Sequence, residues 1–276
     1  MPLPPDFQFS QSSLQDYQDC ARRFELRYIL RQKWPALQSE PVLDYEHHVE
    51  LGTRFHRLVH QKLLGIPDDF LEAGIDDPDL LRWWQVFKND DPLKDLPALR
   101  LPEYRLAAAF AGQRLVAQYD LLSIEPGHRA IILDWKTSTR RTPSTTLTHR
   151  LQTRLYPFLL TLAGTRLNNG LPLKPEQIEL RYWFPCAPDK PEIVGYTQDK
   201  YQQDHDFLID IIQQITQTPD GLFLLTPLED HCKFCEYRSL CDRGRSAGDW
   251  QENQDAETPS QIGPTLDMEE IGEIIF

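Results

Sequence analysis

An acidic residue and a lysine follow a short apolar run in the stretch Ala130-Ile131-Ile132-Leu133-Asp134-Trp135-Lys136-Thr137. The run is rich in β-branched residues and follows the turn residues Pro126-Gly127, which predicts a buried strand. Because side chains alternate along a strand, Asp134 and Lys136 share one face. Taken alone, the pair is an ordinary ion pair at a strand end. Charges at the end of a buried strand are costly for stability, however, and this favours a chemical role.

Two further acids are predicted on neighbouring strands. Residues 103–110 and 114–124 read as strands joined by a hairpin turn at Ala111-Gly112-Gln113. This hairpin leads into the Asp134 strand, so three adjacent strands carry Glu103, Asp120 and Asp134. Carboxylate oxygens are hard ligands that suit Mg²⁺ or Mn²⁺, and Asp120 and Asp134 are the candidate ligands.

Three polar side chains lie on predicted helices. A helix over residues 45–64 carries His56 in its middle. A lone histidine on an amphipathic helix is commonly a structural residue, but beside carboxylates His56 is a candidate nitrogen ligand that would favour Mn²⁺. A helix over residues 147–163 carries Gln152 and Tyr156, which are four positions apart and share a face. Tyr156 lies in an apolar stretch and would also fit a place in the core.

The remaining elements alternate between helices and strands. The first helix opens at the capping box Ser12-Ser13-Leu14-Gln15 and contains Cys20. Further predictions are a helix that starts at Asp77, strands over residues 178–184 and 193–196, and a helix near residues 199–216.

Taken together and in order, these motifs resemble the RecB-type branch of the PD-(D/E)XK nuclease superfamily. The matching motifs are Gly52-Thr53-x-x-His56, the acid Asp120 on a hairpin strand, Asp134-Trp135-Lys136-Thr137 and Gln152-x-x-x-Tyr156. The resemblance covers about residues 10–243. It implies a restriction-endonuclease-like α/β core, with a mixed central sheet flanked by helices, a helical N-terminal part and a cysteine-rich C-terminal clasp.

The resemblance also implies a role for each motif residue. His56, Asp120 and Asp134 would bind Mg²⁺ or Mn²⁺, which neutralises phosphate charge and generates hydroxide near neutral pH. Lys136 would position the attacking water and offset developing negative charge. Gln152 and Tyr156 would orient Lys136 or the DNA strand. Glu103 matches an acid on the preceding strand and joins the catalytic set.

Four of the five cysteines give a second signal. The spacing Cys232-x-x-Cys235-x-x-x-x-x-Cys241, with the distant Cys20, resembles the iron–sulfur members of the same branch, such as the AddB nuclease domain and the CRISPR-associated adaptation nucleases. Soft thiolates suit a [4Fe–4S] cluster or zinc. Structural zinc sites more often join two local pairs, so the cluster is favoured over zinc and over unligated thiols. Cys186 is interpreted as a spare thiol.

Charge and composition limit the possible functions and locations. The formal net charge is −13, which argues against non-specific coating of nucleic acid. Eight acids and no lysine or arginine lie in residues 249–276, so the body is closer to neutral and any DNA contact must use a local groove with divalent metal. The start lacks a signal-peptide layout and no run of about 18 apolar residues occurs, so we expect a cytoplasmic protein without a membrane segment.

These observations predict a single nuclease domain over residues 1–243, closed by the iron–sulfur clasp, and an acidic, disordered tail over residues 244–276. The expected function is metal-dependent hydrolysis of DNA, at ends or on single strands, in repair or recombination. Alternatives are a CRISPR adaptation nuclease that trims spacers and a catalytically silent DNA-binding scaffold. The sequence has no phosphate-binding loop, so a motor would be a partner helicase or another protein in trans, and the tail is a candidate docking peptide.

Overall fold

Five strands form one mixed sheet in the computed structural model, which describes residues 3–33, 40–219 and 221–244. They lie across the sheet in chain order as β1 (Leu99–Phe110), β2 (Gln113–Glu125), β3 (Arg129–Trp135), β4 (Ile178–Trp183) and β5 (Glu192–Gly195). All neighbouring strands are antiparallel except β3 and β4, which are parallel. A parallel pair needs a crossover connection, and helices between β3 and β4 provide it.

Helices pack on both faces of this sheet. The α-helices are α1 (Gln11–Asp19), α2 (Ala21–Phe24), α3 (Glu40–Leu63), α4 (Asp68–Ala73), α5 (Pro78–Asp90), α6 (Ser144–His149), α7 (Leu151–Ala163) and α8 (Gln198–Gln217). A π-helical turn over Glu25–Ile29 follows α2, and short 3-10 helices cover Gly164–Asn168, Pro175–Gln177 and Glu229–Cys232. None of the described helices is both long enough and apolar enough to cross a membrane.

The side chains of β3 alternate between two apolar cores. Ala130 and Ile132 pack in the core that contains α7 and α8, whereas Ile131, Leu133 and Trp135 pack in the core that contains α3 and α5. This alternation follows from the two-residue period of a strand. It directs the even-numbered Asp134 towards α7, and Lys136 continues the same parity just beyond the strand.

The C-terminal segment 221–244 packs against the N-terminal helices. The rings of Phe24 and Phe223 stack with their centroids 6.1 Å apart. The backbone N–H of Arg22 donates to the carbonyl of Leu224 at 3.1 Å, and the backbone carbonyl of Gln32 accepts a 2.9 Å hydrogen bond from Tyr237. The two ends of the described chain are therefore joined by apolar and polar contacts.

The expected fold class is confirmed, because a mixed sheet flanked by helices forms from the predicted strands and helices. The prediction that Cys20 lies inside the first helix is wrong. Its backbone is extended (φ −162°, ψ 110°) and it separates α1 from α2. The capping box also begins earlier than expected, because the residue that caps α1 is Ser10, which exchanges hydrogen bonds with Ser13.

The helix predicted over residues 147–163 is two helices. The extended backbone of Arg150 (φ −68°, ψ 143°) separates α6 from α7. The hydroxyl of Thr153 donates to the carbonyl of Leu147 at 2.5 Å across this break, which gives a polar partner to a carbonyl near the end of α6. The acidic tail, with its predicted disorder and docking role, lies outside the described residues from residue 245 onwards.

Candidate active site

Three carboxylates lie in one row across the first three strands. The pairing of β1 with β2 keeps one register from Leu99 to Phe110 but skips Glu103 and Asp120, which lie opposite each other. The pairing of β2 with β3 begins at Leu121 and Leu133, so Asp120 and Asp134 are the next positions in that register. The hairpin and the following turn therefore bring the three predicted acids together.

Lys136 is held in place by groups from three elements. Its Nζ atom lies 3.1 Å from Oδ2 of Asp134 and donates to Oε1 of Gln152 at 2.7 Å. The amide nitrogen of Gln152 in turn donates to Oδ1 of Asp134 at 2.5 Å. The ring of Tyr182 lies beneath the ammonium, with 5.4 Å from Nζ to the ring centroid. Asp134 and Gln152 are only 3% and 4% exposed, so the lysine has a largely desolvated environment.

His56 reaches this row from α3. Its Nδ1 atom lies 3.3 Å from Oδ1 of Asp120, and its Nε2 atom lies 3.0 Å from the backbone carbonyl of Trp135. The other oxygen of Asp120 accepts a 2.9 Å hydrogen bond from the backbone N–H of Trp135. Helix α3 and strand β2 are thus both tied to the end of β3, where Lys136 begins the following loop.

The charges of these groups shift one another's pKa values. Burial lowers the pKa of His56, but the carboxylates of Asp120, Asp134 and Glu103 outweigh burial and raise it to about 9. Burial raises the pKa of Asp120, but the charge of His56 and hydrogen bonds from His56 and Trp135 outweigh it and hold the pKa below its usual value. At Asp134 and Glu103 burial prevails, and the negative charge of Asp120 adds to it, so both pKa values are raised. The site without a cation therefore carries an excess of buried negative charge.

The donor set fits a divalent cation. Among the described residues, His56, Glu103 and Asp120 each offer a ligand atom, and these atoms all lie within 4.8 Å of one another. Oδ2 of Asp134 is buried and accepts no well-aligned hydrogen bond from the described residues, although the ammonium of Lys136 lies 3.1 Å away. A buried carboxylate oxygen with an ion pair but no aligned hydrogen bond is incompletely compensated, and a bound cation would add a second positive partner.

Tyr156, the last of the predicted residues, lies in the core beneath the row. It is 4% exposed, and its ring packs edge-on against Tyr119 with the centroids 5.1 Å apart. Its backbone carbonyl accepts a 3.0 Å hydrogen bond from the hydroxyl of Tyr119. Tyr119 immediately precedes Asp120 on β2, so Tyr156 supports the strand that carries this acid.

Sequence reasoning missed two groups that take part in the site. Tyr182 on β4 is the register partner of Asp134 and packs under Lys136, and its hydroxyl lies 2.6 Å from that of Thr153. The backbone of Trp135 contacts both His56 and Asp120. No local motif marks Tyr182, because its place depends on the parallel pairing of β3 with β4. A role of the Trp135 backbone at the site could have been inferred from the sequence, because Trp135 lies between Asp134 and Lys136.

The four predicted cluster cysteines lie near one another, at the junction of the N-terminal helices and the C-terminal segment. Burial and then the charge of Cys20 raise the pKa of the Cys232 and Cys241 thiols. Burial is also the main cause of the raised pKa of Cys235, which is influenced by Cys20 and Cys232. Cys186 is exposed, and none of these thiols influences its pKa.

A family model of the PD-(D/E)XK nuclease superfamily matches residues 8–242. The crystal structure of SSO0001 aligns at 13% identity and a TM-score of 0.42, over 87% of this chain and 87% of that chain. A "putative exonuclease" from Eubacterium rectale aligns at 13% identity and a TM-score of 0.48, over 75% of this chain and 79% of that chain. No curated protein matches the sequence. The family match includes every residue of the candidate site.

Proposed function

The chain belongs to the PD-(D/E)XK nuclease superfamily, and from this membership we propose that it hydrolyses phosphodiester bonds of DNA with Mg²⁺ or Mn²⁺. His56, Asp120 and Asp134 would hold the cation. When bound, the cation supplies charge neutralisation at the phosphate and a hydroxide near neutral pH. The observation that carries this function is the fixed position of Lys136 beside Asp134 and Gln152 at the end of β3.

The contacts of Lys136 support a role in stabilising the transition state. Phosphodiester hydrolysis builds negative charge on the phosphate oxygens, and a preorganised cationic donor stabilises that charge most in a desolvated site. The side chain of Lys136 is 16% exposed, which leaves its ammonium accessible to a substrate while Gln152 and Asp134 restrict its rotamers. Gln152 acts as a positioning residue, because one amide links both charged groups.

An assay of cleavage tests this function directly. The full chain is incubated with linear and circular DNA, single-stranded and duplex, with Mg²⁺, Mn²⁺ or EDTA. We expect metal-dependent degradation, and sparing of the circles would establish action at DNA ends. Lys136→Met should reduce the rate at least about 100-fold, a typical loss for a preorganised charge donor, whereas the exposed Lys200→Met is the matched control. Equal cleavage by wild type and Lys136→Met would refute this active site.

A role in repair or recombination and membership of the RecB-type branch are part of the same inference. They rest on the order and spacing of the His56, Asp120, Asp134–Lys136 and Gln152 motifs. The cytoplasmic location expected from the sequence agrees with a DNA substrate. A helicase supplied by another chain would provide unwound ends, since the sequence contains no phosphate-binding loop.

A [4Fe–4S] cluster bound by Cys20, Cys232, Cys235 and Cys241 is the second part of the proposed function. Among the described residues, no three of these sulfurs lie within 4.8 Å of one another. The sequence separation of Cys20 from the other three cysteines favours the cluster over zinc, because structural zinc sites more often join two local pairs.

Arginines around the cysteines suit an anionic cluster. Arg243 and Arg23 act to lower the pKa of Cys232, and Arg22 acts in the same direction on Cys241. Anaerobic purification should give a brown protein whose visible absorption is lost in Cys232→Ser, while Cys186→Ser keeps it. A colourless wild type with stoichiometric zinc would refute the cluster.

A further inference from the structure

Glu103 lies beside two of the proposed cation ligands, although the motif resemblance assigns it no metal. One carboxylate oxygen of Glu103, one of Asp120 and one ring nitrogen of His56 all lie within 4.8 Å of one another. Ligands of an octahedral ion at about 2.1 Å are separated by about 3 to 4 Å. Small side-chain adjustments are therefore enough to close these three groups on one cation.

The backbone at Glu103 directs its side chain towards this group. The ladder between β1 and β2 keeps the same register on both sides of Glu103 but makes no pair there. The residue has φ +49°, in the left-handed region that glutamate seldom adopts. Gln118 on β2 donates to Oε2 of Glu103 at 2.7 Å, which fixes one carboxylate oxygen and leaves the other to a ligand.

A second observation points to a cation at the same place. Oδ2 of Asp134 is buried with Lys136 as an ion-pair partner at 3.1 Å but without an aligned hydrogen bond, and the negative charge of Asp134 acts on both Glu103 and His56. The three carboxylates of Glu103, Asp120 and Asp134 face only Lys136 and the ring of His56 among these groups, so negative charge is in excess at the site. One divalent cation balances this excess, and burial of unbalanced charge is costly.

We propose that Glu103 is a direct ligand of the cation, together with His56 and Asp120, which rests on the proposed metal-dependent function. One nitrogen and at least two carboxylates form a donor set that favours Mn²⁺ over Mg²⁺. Replacement of a residue that only binds the ion lowers the affinity for the metal, and excess metal then restores the rate of cleavage. When a group that acts on the phosphate is replaced, such as Lys136, excess metal does not restore the rate of cleavage.

The test is a titration of Mn²⁺ into the metal-free full chain, followed by calorimetry and by electron paramagnetic resonance of the free ion. Glu103→Gln keeps the shape of the side chain and should weaken binding at least about tenfold, since even groups behind the ligands contribute about 10–100-fold. The Mn²⁺ concentration for half-maximal cleavage should rise in parallel, while the rate at saturating Mn²⁺ stays within about tenfold. Glu125→Gln, at the far end of β2, is the matched control with unchanged affinity.

The outcomes separate this inference from the proposed function. If wild type cleaves DNA and Glu103→Gln binds Mn²⁺ as tightly as wild type, Glu103 is not a ligand and the nuclease function stands. If wild type neither binds Mn²⁺ nor cleaves, the proposed function itself is wrong. Glu103→Asn is the second variant, because asparagine adopts the left-handed backbone more readily than glutamate and so preserves the fold. Wild-type affinity in Glu103→Asn would equally overturn the assignment.

Discussion

Asp134→Asn should stabilise the metal-free protein while abolishing cleavage. Burial, opposed by Lys136 and reinforced by Asp120, raises the pKa of Asp134 from 3.8 to about 6. The folded state therefore binds the proton more tightly than the unfolded state, so stability falls as pH rises from about 4 to 6. At neutral pH the full cost of ionising the buried Asp134 is present. The difference between its pKa values of 3.8 and about 6 corresponds to about 3 kcal/mol.

Asparagine removes this cost because it does not ionise. The amide oxygen still accepts a hydrogen bond from Gln152, but Lys136 loses its charged neighbour. This loss offsets part of the gain in the free energy of unfolding. We expect the free energy of unfolding to rise by about 1–2 kcal/mol at pH 7.5 in EDTA. Urea unfolding followed by tryptophan fluorescence measures this difference, and the gain should disappear near pH 4.

Addition of Mn²⁺ should reverse the order of stability, because a ligand that binds only the folded state stabilises wild type more than a variant with a weakened site. Asp204→Asn is the control for a buried acid with a structural role. Asp204 is 6% exposed and accepts from Arg154 at 2.6 Å and from the hydroxyl of Tyr196 at 3.0 Å. Its replacement should destabilise the protein by about 1–3 kcal/mol and leave cleavage intact.

Destabilisation of the metal-free protein by Asp134→Asn as large as that by Asp204→Asn would show that the ionised Asp134 carries no net cost in the folded state. Asp134 would then be a structural ion-pair partner of Lys136, and its buried Oδ2 would not indicate a cation site.

Three further predictions concern Lys136, His56 and Phe55. Lys136→Met should retain Mn²⁺ binding by calorimetry within a few-fold while it loses cleavage, and a parallel loss of both would argue against a role at the phosphate. The carboxylates raise the pKa of His56 to about 9, so His56 is protonated in the metal-free protein at pH 7.5 and metal binding should release about one proton. Calorimetry in buffers of different ionisation enthalpy measures the number of protons released. Metal binding without proton release would contradict ligation by His56. Phe55→Ala should cost about 3–5 kcal/mol in urea unfolding, because Phe55 is fully buried against Trp83 and Trp183, and a loss below 1 kcal/mol would show that this core repacks.

The order of secondary structure was open to prediction because it depends on local periodicity. The apolar run before Asp134, the turn at Ala111-Gly112 and the cap at Asp77 each mark an element in the sequence, and each element forms where expected. The placement of Cys20 inside a helix failed for a related reason. Helical spacing of the apolar residues continues through Cys20, but the chain changes direction there to pack against the C-terminal segment.

The sequence by itself determined that Asp134 and Lys136 share a face and that hairpin strands carry Glu103, Asp120 and Asp134 side by side. Both follow from the two-residue period of a strand and from short antiparallel connections. Only the tertiary structure decided that Gln152 links Lys136 to Asp134. It also decided that Glu103, with its left-handed backbone, lies with His56 and Asp120.

The physical reason is the same in each of these cases. Contacts such as Gln152 with Asp134 join side chains from separate elements, so they depend on how the crossover helices pack on the sheet. Packing of this kind is set by the whole core and leaves no periodic signal in the segments that it joins.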